Sequence, residues 1–223
     1  MQKIELLTDI PTITGLLTVA QAEKIAHKLG KASKMPGHTY GLPAKECNIG
    51  ARLREVKDSV CFGCYAMKGR YVMENVQTAE YKRLDSLKHP QWVDAMATLI
   101  NHKCKGVPFF RWHDAGDLQN LEHLSKIVEV VKLTPNVKHW LPTREYKIVN
   151  LYVKLYGEFP ENLVVRLSAH MVDAAPPSGY GLPTSTVVTD GNETCPSRKQ
   201  DNECKECRAC WDVKTRNVSY AKH

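Results

Sequence analysis

Residues 107–117 read VPFFRWHDAGD, a short apolar run that changes abruptly into polar residues and glycine. The apolar part is too short for a helix and predicts a buried strand, and the polar part predicts a turn at the carboxyl end of that strand. Asn120 follows as a predicted helix N-cap, and aliphatic residues then recur at helical spacing to Val131. This stretch therefore predicts one strand, one turn and one helix in succession.

The same succession recurs on both sides of this stretch. Further strands are predicted at residues 38–43, 137–141, 162–168 and 185–189, and further helices at residues 19–30, 74–87, 90–100 and from Thr143 onward. Strands that alternate with helices of this length predict a parallel sheet. Four or five strands are too few for a closed eight-stranded barrel. We expect an α/β fold with a partial (β/α) barrel-like parallel sheet and cysteine-rich loops at the strand carboxyl ends.

Three segments follow from this pattern. They are an N-terminal helical segment (residues 1–35), an α/β partial-barrel domain (residues 36–190) and a C-terminal cysteine-rich segment (residues 191–223).

Seven of the eight cysteines fall into two groups. The trio, in ECNIGARLREVKDSVCFGCYA, is Cys47, Cys61 and Cys64, and the quartet, in CPSRKQDNECKECRACW, is Cys195, Cys204, Cys207 and Cys210. Charged residues interrupt the first apolar run, so the N-terminus does not resemble a signal peptide and we expect a reducing cytoplasm. Clustered cysteines there are more often metal ligands or redox groups than disulfides. We therefore expect both groups to bind metal.

Iron is the metal that the quartet favours. Zinc prefers a tetrahedron built from two separate CxxC pairs. The CxxCxxC spacing of the quartet instead lets successive thiolates reach different irons of one [4Fe-4S] cluster. The sequence predicts one or two such clusters, with zinc as the alternative.

The trio has no fourth cysteine close to it in the sequence. Three thiolates on a four-iron cluster would leave one iron open to a substrate or cofactor. In the alternative, the site is closed by His38, Asp58 or Cys104, although Cys104 alone in a helix is typical of a buried apolar thiol. A second alternative has Cys195 complete the trio, which would leave Cys204, Cys207 and Cys210 as the open site.

Composition narrows the choice of partners. The formal net charge is +7, and basic residues cluster near both termini, which permits a small-molecule or nucleic-acid substrate that carries phosphate. No apolar run approaches the length of about 18 residues that a membrane-spanning helix needs. We expect a cytoplasmic protein with no membrane partner, and the sequence does not specify its oligomeric state.

Polar residues mark the predicted strand ends. Active sites in parallel sheets lie beyond the carboxyl ends of the strands. The second strand ends in HDAGD and the third in PTRE. We predict His113, Asp114, Asp117 and Arg144 as catalytic residues, and Gly116 and Asp117 as cofactor-binding residues. The alternative is that the two aspartates only cap helix N-termini.

The ordered series LPAKEC…CFGCYAMKGRY, RWHDAGD, NVKHWLPTRE, VVRLSAH and CP…CxxCxxCW resembles the gene product 88-like family of phage proteins across residues 36–212. The resemblance implies a phage-encoded iron–sulfur protein in the host cytoplasm. A more distant similarity is to radical S-adenosylmethionine enzymes, with the trio matching their cysteine loop and residues 115–117 matching their Gly-Gly-Glu motif.

Two departures weigh against S-adenosylmethionine as the cofactor. Thirteen residues separate Cys47 from Cys61, more than in that family, and Asp117 is shorter than the glutamate that would hold the cofactor's amino group. In a radical mechanism the open iron would bind S-adenosylmethionine and deliver an electron to its sulfonium. In the alternative it would act as a Lewis acid on a substrate oxygen or sulfur, with His113 or Asp114 as acid or base. The alternative function is a zinc- or cluster-stapled nucleic-acid-binding module without catalysis.

Overall fold

The computed structural model describes residues 17–222, which form a six-stranded sheet with helices packed against it. The strands are β1 (His38–Tyr40), β2 (Phe109–Trp112), β3 (Lys138–Thr143), β4 (Leu163–Ser168), β5 (Thr184–Val188) and β6 (Asn217–Ala221). They lie side by side in chain order, and every neighbouring pair is parallel. Since β1 and β6 do not pair, the sheet is open. The predicted α/β class with an unclosed parallel sheet is confirmed.

Within residues 17–222 the α-helices are α1 (Val19–Ala26), α2 (Asn48–Leu53), α3 (Glu74–Ser86), α4 (Trp92–Lys103), α5 (Leu121–Lys132) and α6 (Tyr146–Tyr156). Short 3-10 helices cover Ala44–Glu46, Tyr65–Met67, Gly69–Val72, Pro196–Lys199 and Ala209–Trp211. As predicted, the Asn120 side chain caps α5 by accepting from the His123 amide. No helix within residues 17–222 is long and apolar enough to cross a membrane.

Several helix boundaries differ from those predicted: α4 covers Trp92–Lys103 rather than residues 90–100, and α3 ends one residue early. Two further shifts have a clear backbone cause. Helix α1 ends at Ala26 rather than near Gly30, because His27 has a positive φ of 63° and Gly30 instead pairs with Thr39. Helix α6 begins at Tyr146 rather than at Thr143, because β3 continues through Thr143.

The main core lies between the sheet and the helices. Alternate side chains of β2 separate the two faces of the sheet: Phe110 and Trp112 are fully buried in this core, and Arg111 lies over the Trp140 ring on the other face. Ala22 and Ala26 of α1 belong to the same core. The described part of the predicted N-terminal segment is therefore packed into the main domain, and residues 1–16 lie outside the described residues.

Strand β6 was not predicted. It is short and alternates polar Asn217 and Ser219 with Val218 and Tyr220, within the C-terminal segment whose cysteines dominate the sequence pattern. Its pairing with β5 over five residue positions makes it the last strand of the sheet. The C-terminal segment is therefore joined to the sheet.

Candidate functional site

The trio lies in the segment that follows β1, around the short helix α2. Gly50 of α2 lies beside two of the sulfurs. A Cβ added at this glycine would lie 3.5 Å from Cys47 Sγ and 3.6 Å from Cys61 Sγ. These distances place the two sulfurs no more than about 7 Å apart. The same Cβ would lie only 3.0 Å from the Cβ of Cys47, so a side chain at position 50 would press on Cys47 and make ordinary contact with both sulfurs.

Burial and neighbouring negative charges raise the pKa of two thiols of the trio, Cys47 and Cys61. Burial first, then Asp117 and the other two cysteines of the trio, raise the pKa of Cys47 to about 12, while Arg54 opposes the shift. Burial also raises the pKa of Cys61, against the opposing charge of Arg144. A bound metal cation reverses this balance, because it stabilises the thiolate form.

Asp117 joins the ends of β2 and β3 beside the trio. Its buried carboxylate accepts hydrogen bonds from Leu118 N at 2.8 Å, Thr143 Oγ1 at 2.6 Å and Arg144 N at 3.0 Å. Burial raises the pKa of Asp117, and these three hydrogen bonds oppose that shift. The carboxylate therefore fixes the turn that carries Arg144 next to the trio.

The segment after β4 also reaches the trio's loop. Val60 N donates to His170 O at 2.9 Å, and Val172 N donates to Asp58 O at 2.9 Å. The His170 ring lies 3.2 Å from Arg144 O. The segments that follow β1, β2, β3 and β4 therefore converge around Cys47, Cys61 and Cys64, as expected for the carboxyl end of a parallel sheet.

Gly116 has a structural requirement of its own. Its φ is +80°, and a Cβ at this position would lie 2.7 Å from both the Cβ and the carbonyl oxygen of Leu42. Leu42 N also donates to Ala115 O at 2.8 Å. Glycine therefore permits the close contact between the turns after β1 and β2, whatever else binds there.

His113 and Asp114, two further predicted catalytic residues, make contacts that differ from those of Asp117. His113 is buried at φ 55°, its ring is 5.2 Å from that of His123, and no hydrogen-bond partner of its ring nitrogens is found within the described residues. Burial lowers the pKa of His113 well below its usual value. Asp114 accepts from the Tyr71 hydroxyl at 3.3 Å, and its carbonyl accepts from the Tyr65 hydroxyl.

His38 and Cys104 lie at the opposite end of the sheet from the trio. His38 begins β1, and its Nδ1 is 3.2 Å from Gly30 O. The Cys104 sulfur is buried 3.8 Å from Phe109 O, at the first residue of β2. Of the three alternative fourth ligands, only Asp58 belongs to the trio's own loop.

The quartet lies between β5 and β6 and reaches both edges of the sheet. Cys195 N donates to Ser219 O of β6 at 2.9 Å, and Cys204 N donates to Lys34 O, just before β1, at 3.0 Å. The Cys210 sulfur lies 3.1 Å from the Tyr220 hydroxyl. This segment therefore spans the open side of the sheet.

Arginines surround the quartet. Burial raises the pKa of Cys210 to about 11, and Arg166 and Arg111 oppose this shift. Burial raises the pKa of Cys204 as well, and Cys195 and Cys207 add to the effect. The four thiols thus influence one another electrostatically as one group in a cationic environment.

Arg166 is the functional candidate that sequence reasoning missed. Its fully buried guanidinium donates to the carbonyl oxygens of Thr184, Ala209, Asp212 and Thr215 at 2.8 to 3.2 Å. The only sequence signal was an arginine inside the otherwise apolar strand LVVRLS.

Neither cysteine group matches the arrangement around a single ion. Within residues 17–222, no three or more His, Cys, Asp or Glu side chains are placed so that they could hold one metal ion.

A cavity of about 1200 Å³ lies elsewhere, between α1 and α3, where Lys24, His27, Tyr81 and Lys82 are among the lining residues. None of the predicted site residues lines it.

Comparison with known proteins gives one match. No curated protein and no solved structure is significantly similar to this chain. The family of phage-type proteins described as Gene product 88 matches residues 15–213, which includes both cysteine groups and all the strand ends described above. Because this match covers most of the chain, the protein belongs to the gene product 88 family.

Proposed function

We propose that this protein binds [4Fe-4S] clusters through its trio and its quartet, and that the trio's cluster has one iron open at the strand ends. The observation that carries the proposal is the convergence of three thiols with the segments that follow four successive strands. A ligand at this position would be in reach of Arg144 and His170. The proposal assumes the reducing cytoplasm of a host cell, where thiols persist.

The donor sets fit a cluster better than a single ion. All eight cysteines are free, and seven of them form two compact groups. A cubane binds each thiolate at a different iron, so its ligands need not surround one point as zinc ligands do. The arginines beside each group would offset the negative charge of the thiolates, which is a known influence on cluster potential.

An open iron supplies either an electron or a Lewis acid to a bound group. A radical reaction would need S-adenosylmethionine, whose amino group requires a free acceptor near residue 117. Asp117 already accepts three hydrogen bonds from the protein. This favours binding of a substrate oxygen or sulfur by the open iron as a Lewis acid. The Nε of Arg144 is buried and has no hydrogen-bond partner within the described residues, so its guanidinium is available to an anionic group.

Anaerobic purification followed by iron and acid-labile sulfide analysis tests the proposal. Iron and sulfide in equal amounts are expected, and they should fall in part when Cys61 and Cys64 are replaced by serine and in full when the quartet is also replaced. Stoichiometric zinc without sulfide would overturn the proposal. Zinc together with salt-dependent binding to arbitrary DNA or RNA would favour the nucleic-acid-binding module instead.

A further inference from the structure

We propose that Arg166 is the positioning residue of the quartet, and that it also supplies the buried positive charge that offsets the quartet's thiolates. The inference rests on the proposed function, since it concerns the residues that hold the second cluster. It adds a role for a strand residue that lies outside both cysteine-rich segments.

The anchoring half of the inference follows from geometry. Four of the five N–H donors of Arg166 are used by backbone carbonyl oxygens, and three of those carbonyls belong to residues 209–215, at the end of the quartet's segment. Trp211, in the same segment, is buried against the rings of Phe109 and Trp140, and its Nε1 donates to Phe110 O at 2.9 Å. Arg166 and Trp211 together fasten this segment to the sheet.

The proposed role of the Arg166 charge follows from the absence of an ion-pair partner for this residue within residues 17–222. Its side chain is 0% exposed, yet its four hydrogen-bond acceptors are all neutral, and no carboxylate forms an ion pair with it within residues 17–222. A buried cation without an ion-pair partner is unfavourable, and Asp212, the one carboxylate that faces Arg166 within the described residues, is exposed to solvent. The ionisable side chains that face it are those of Tyr220, Cys210 and Asp212. A thiolate-ligated cluster carries the negative charge that this site requires.

The test compares Arg166→Met and Arg166→Lys with Arg216→Met. Arg216 is exposed and donates one hydrogen bond to the carbonyl of Gly181, at 3.2 Å, so it is a matched control in the same segment. All variants are made in a background that carries Cys61→Ser and Cys64→Ser, so that only the quartet can be loaded. Iron and sulfide per chain, the reduction potential and the trypsin cleavage pattern are measured anaerobically.

We expect Arg166→Met to lose most of the iron and to become cleaved within residues 195–216. Any cluster that remains should be reduced at a more negative potential, because a positive charge that stabilises the reduced form is gone. Arg166→Lys keeps the charge but not the four-carbonyl contact, so it should retain more iron with a smaller potential shift. Arg216→Met should match the parent protein in iron content and reduction potential, and its trypsin pattern should differ only by the loss of any cut after residue 216.

Unchanged iron, potential and cleavage in Arg166→Met would overturn the inference and leave the proposed function intact. Increased cleavage with an unchanged potential would overturn the charge half alone. If the parent protein holds no iron and sulfide, the proposed function fails, and the cleavage pattern still decides whether Arg166 anchors the segment.

Discussion

The trio and the quartet contain similar ligands but are held in different ways. The trio's loop is held at strand ends by backbone contacts, and it exposes Phe62 and Tyr65, which are close to Cys64 in the sequence. The quartet's segment is fastened by buried Arg166 and Trp211 and links the two edges of the sheet. A segment that is locked into the fold suits a structural or electron-relay cluster, and a loop at converging strand ends suits a cluster that binds a ligand.

Loss of a quartet cysteine should have the largest effect of any single change discussed here. We expect Cys207→Ala to lose iron and to lower the free energy of unfolding by more than about 3 kcal/mol, because metal binding by grouped thiolates contributes directly to folding. The matched variant Cys64→Ala should lose the trio's iron with a much smaller loss of stability. Anaerobic chemical denaturation with iron analysis measures both. Equal destabilisation by the two variants would remove the distinction between the groups.

Asp117→Asn should lower the free energy of unfolding by about 2 kcal/mol. Loss of a simple helix cap would cost less, about 1 kcal/mol. The reason is that three donors converge on a buried carboxylate, and an asparagine amide would direct N–H groups at one of them. Ligand binding at the trio should also be lost, while the quartet's iron stays. A melting temperature equal to that of the parent protein would contradict this account of Asp117.

Much of the fold could be predicted because its determinants are local. Helical and strand periodicity located five strands and the long helices, and the parallel-sheet rule anticipated that Asp117 and Arg144 would meet the trio. Strand β6 and the Arg166 contacts could not be predicted in this way, since they depend on residues 166 and 209–215 meeting across the sheet. The positive φ of His113 and the packing of its ring beside His123 could not be predicted either, since both depend on the turn after β2 and on a residue of α5.

Glu80, which is buried in α3, should make the stability of the protein depend on pH. Burial first, and Asp114 second, raise its pKa from 4.5 to about 7. The folded state therefore favours the protonated form, so stability from this group is complete below about pH 4.5 and is lost as pH rises to about 7. Glu80→Gln should remove this loss and be more stable than the parent protein at about pH 8, by roughly 1 to 3 kcal/mol.

Urea denaturation at about pH 5 and about pH 8 measures this difference. Glu74→Gln, at an exposed position at the start of the same helix, serves as the control and should keep the pH dependence of the parent protein. The assignment to Glu80 is wrong if both variants show the same pH dependence.

Cys104→Ser should have the smallest effect, because the Cys104 sulfur lies at the amino end of β2, away from the trio. We expect about 1 kcal/mol of destabilisation from a hydroxyl in an apolar site, and no loss of iron.

Controlled oxidation should convert the trio's cluster to a [3Fe-4S] form, since the iron without a protein thiolate has only exchangeable outer ligands. Low-temperature electron paramagnetic resonance detects that form, and added ferrous iron should reverse it. The conversion should persist in Cys104→Ser and vanish in Cys61→Ser. If Cys104→Ser abolishes the cluster instead, a fourth thiolate closes the site, and both cysteine groups would then be structural.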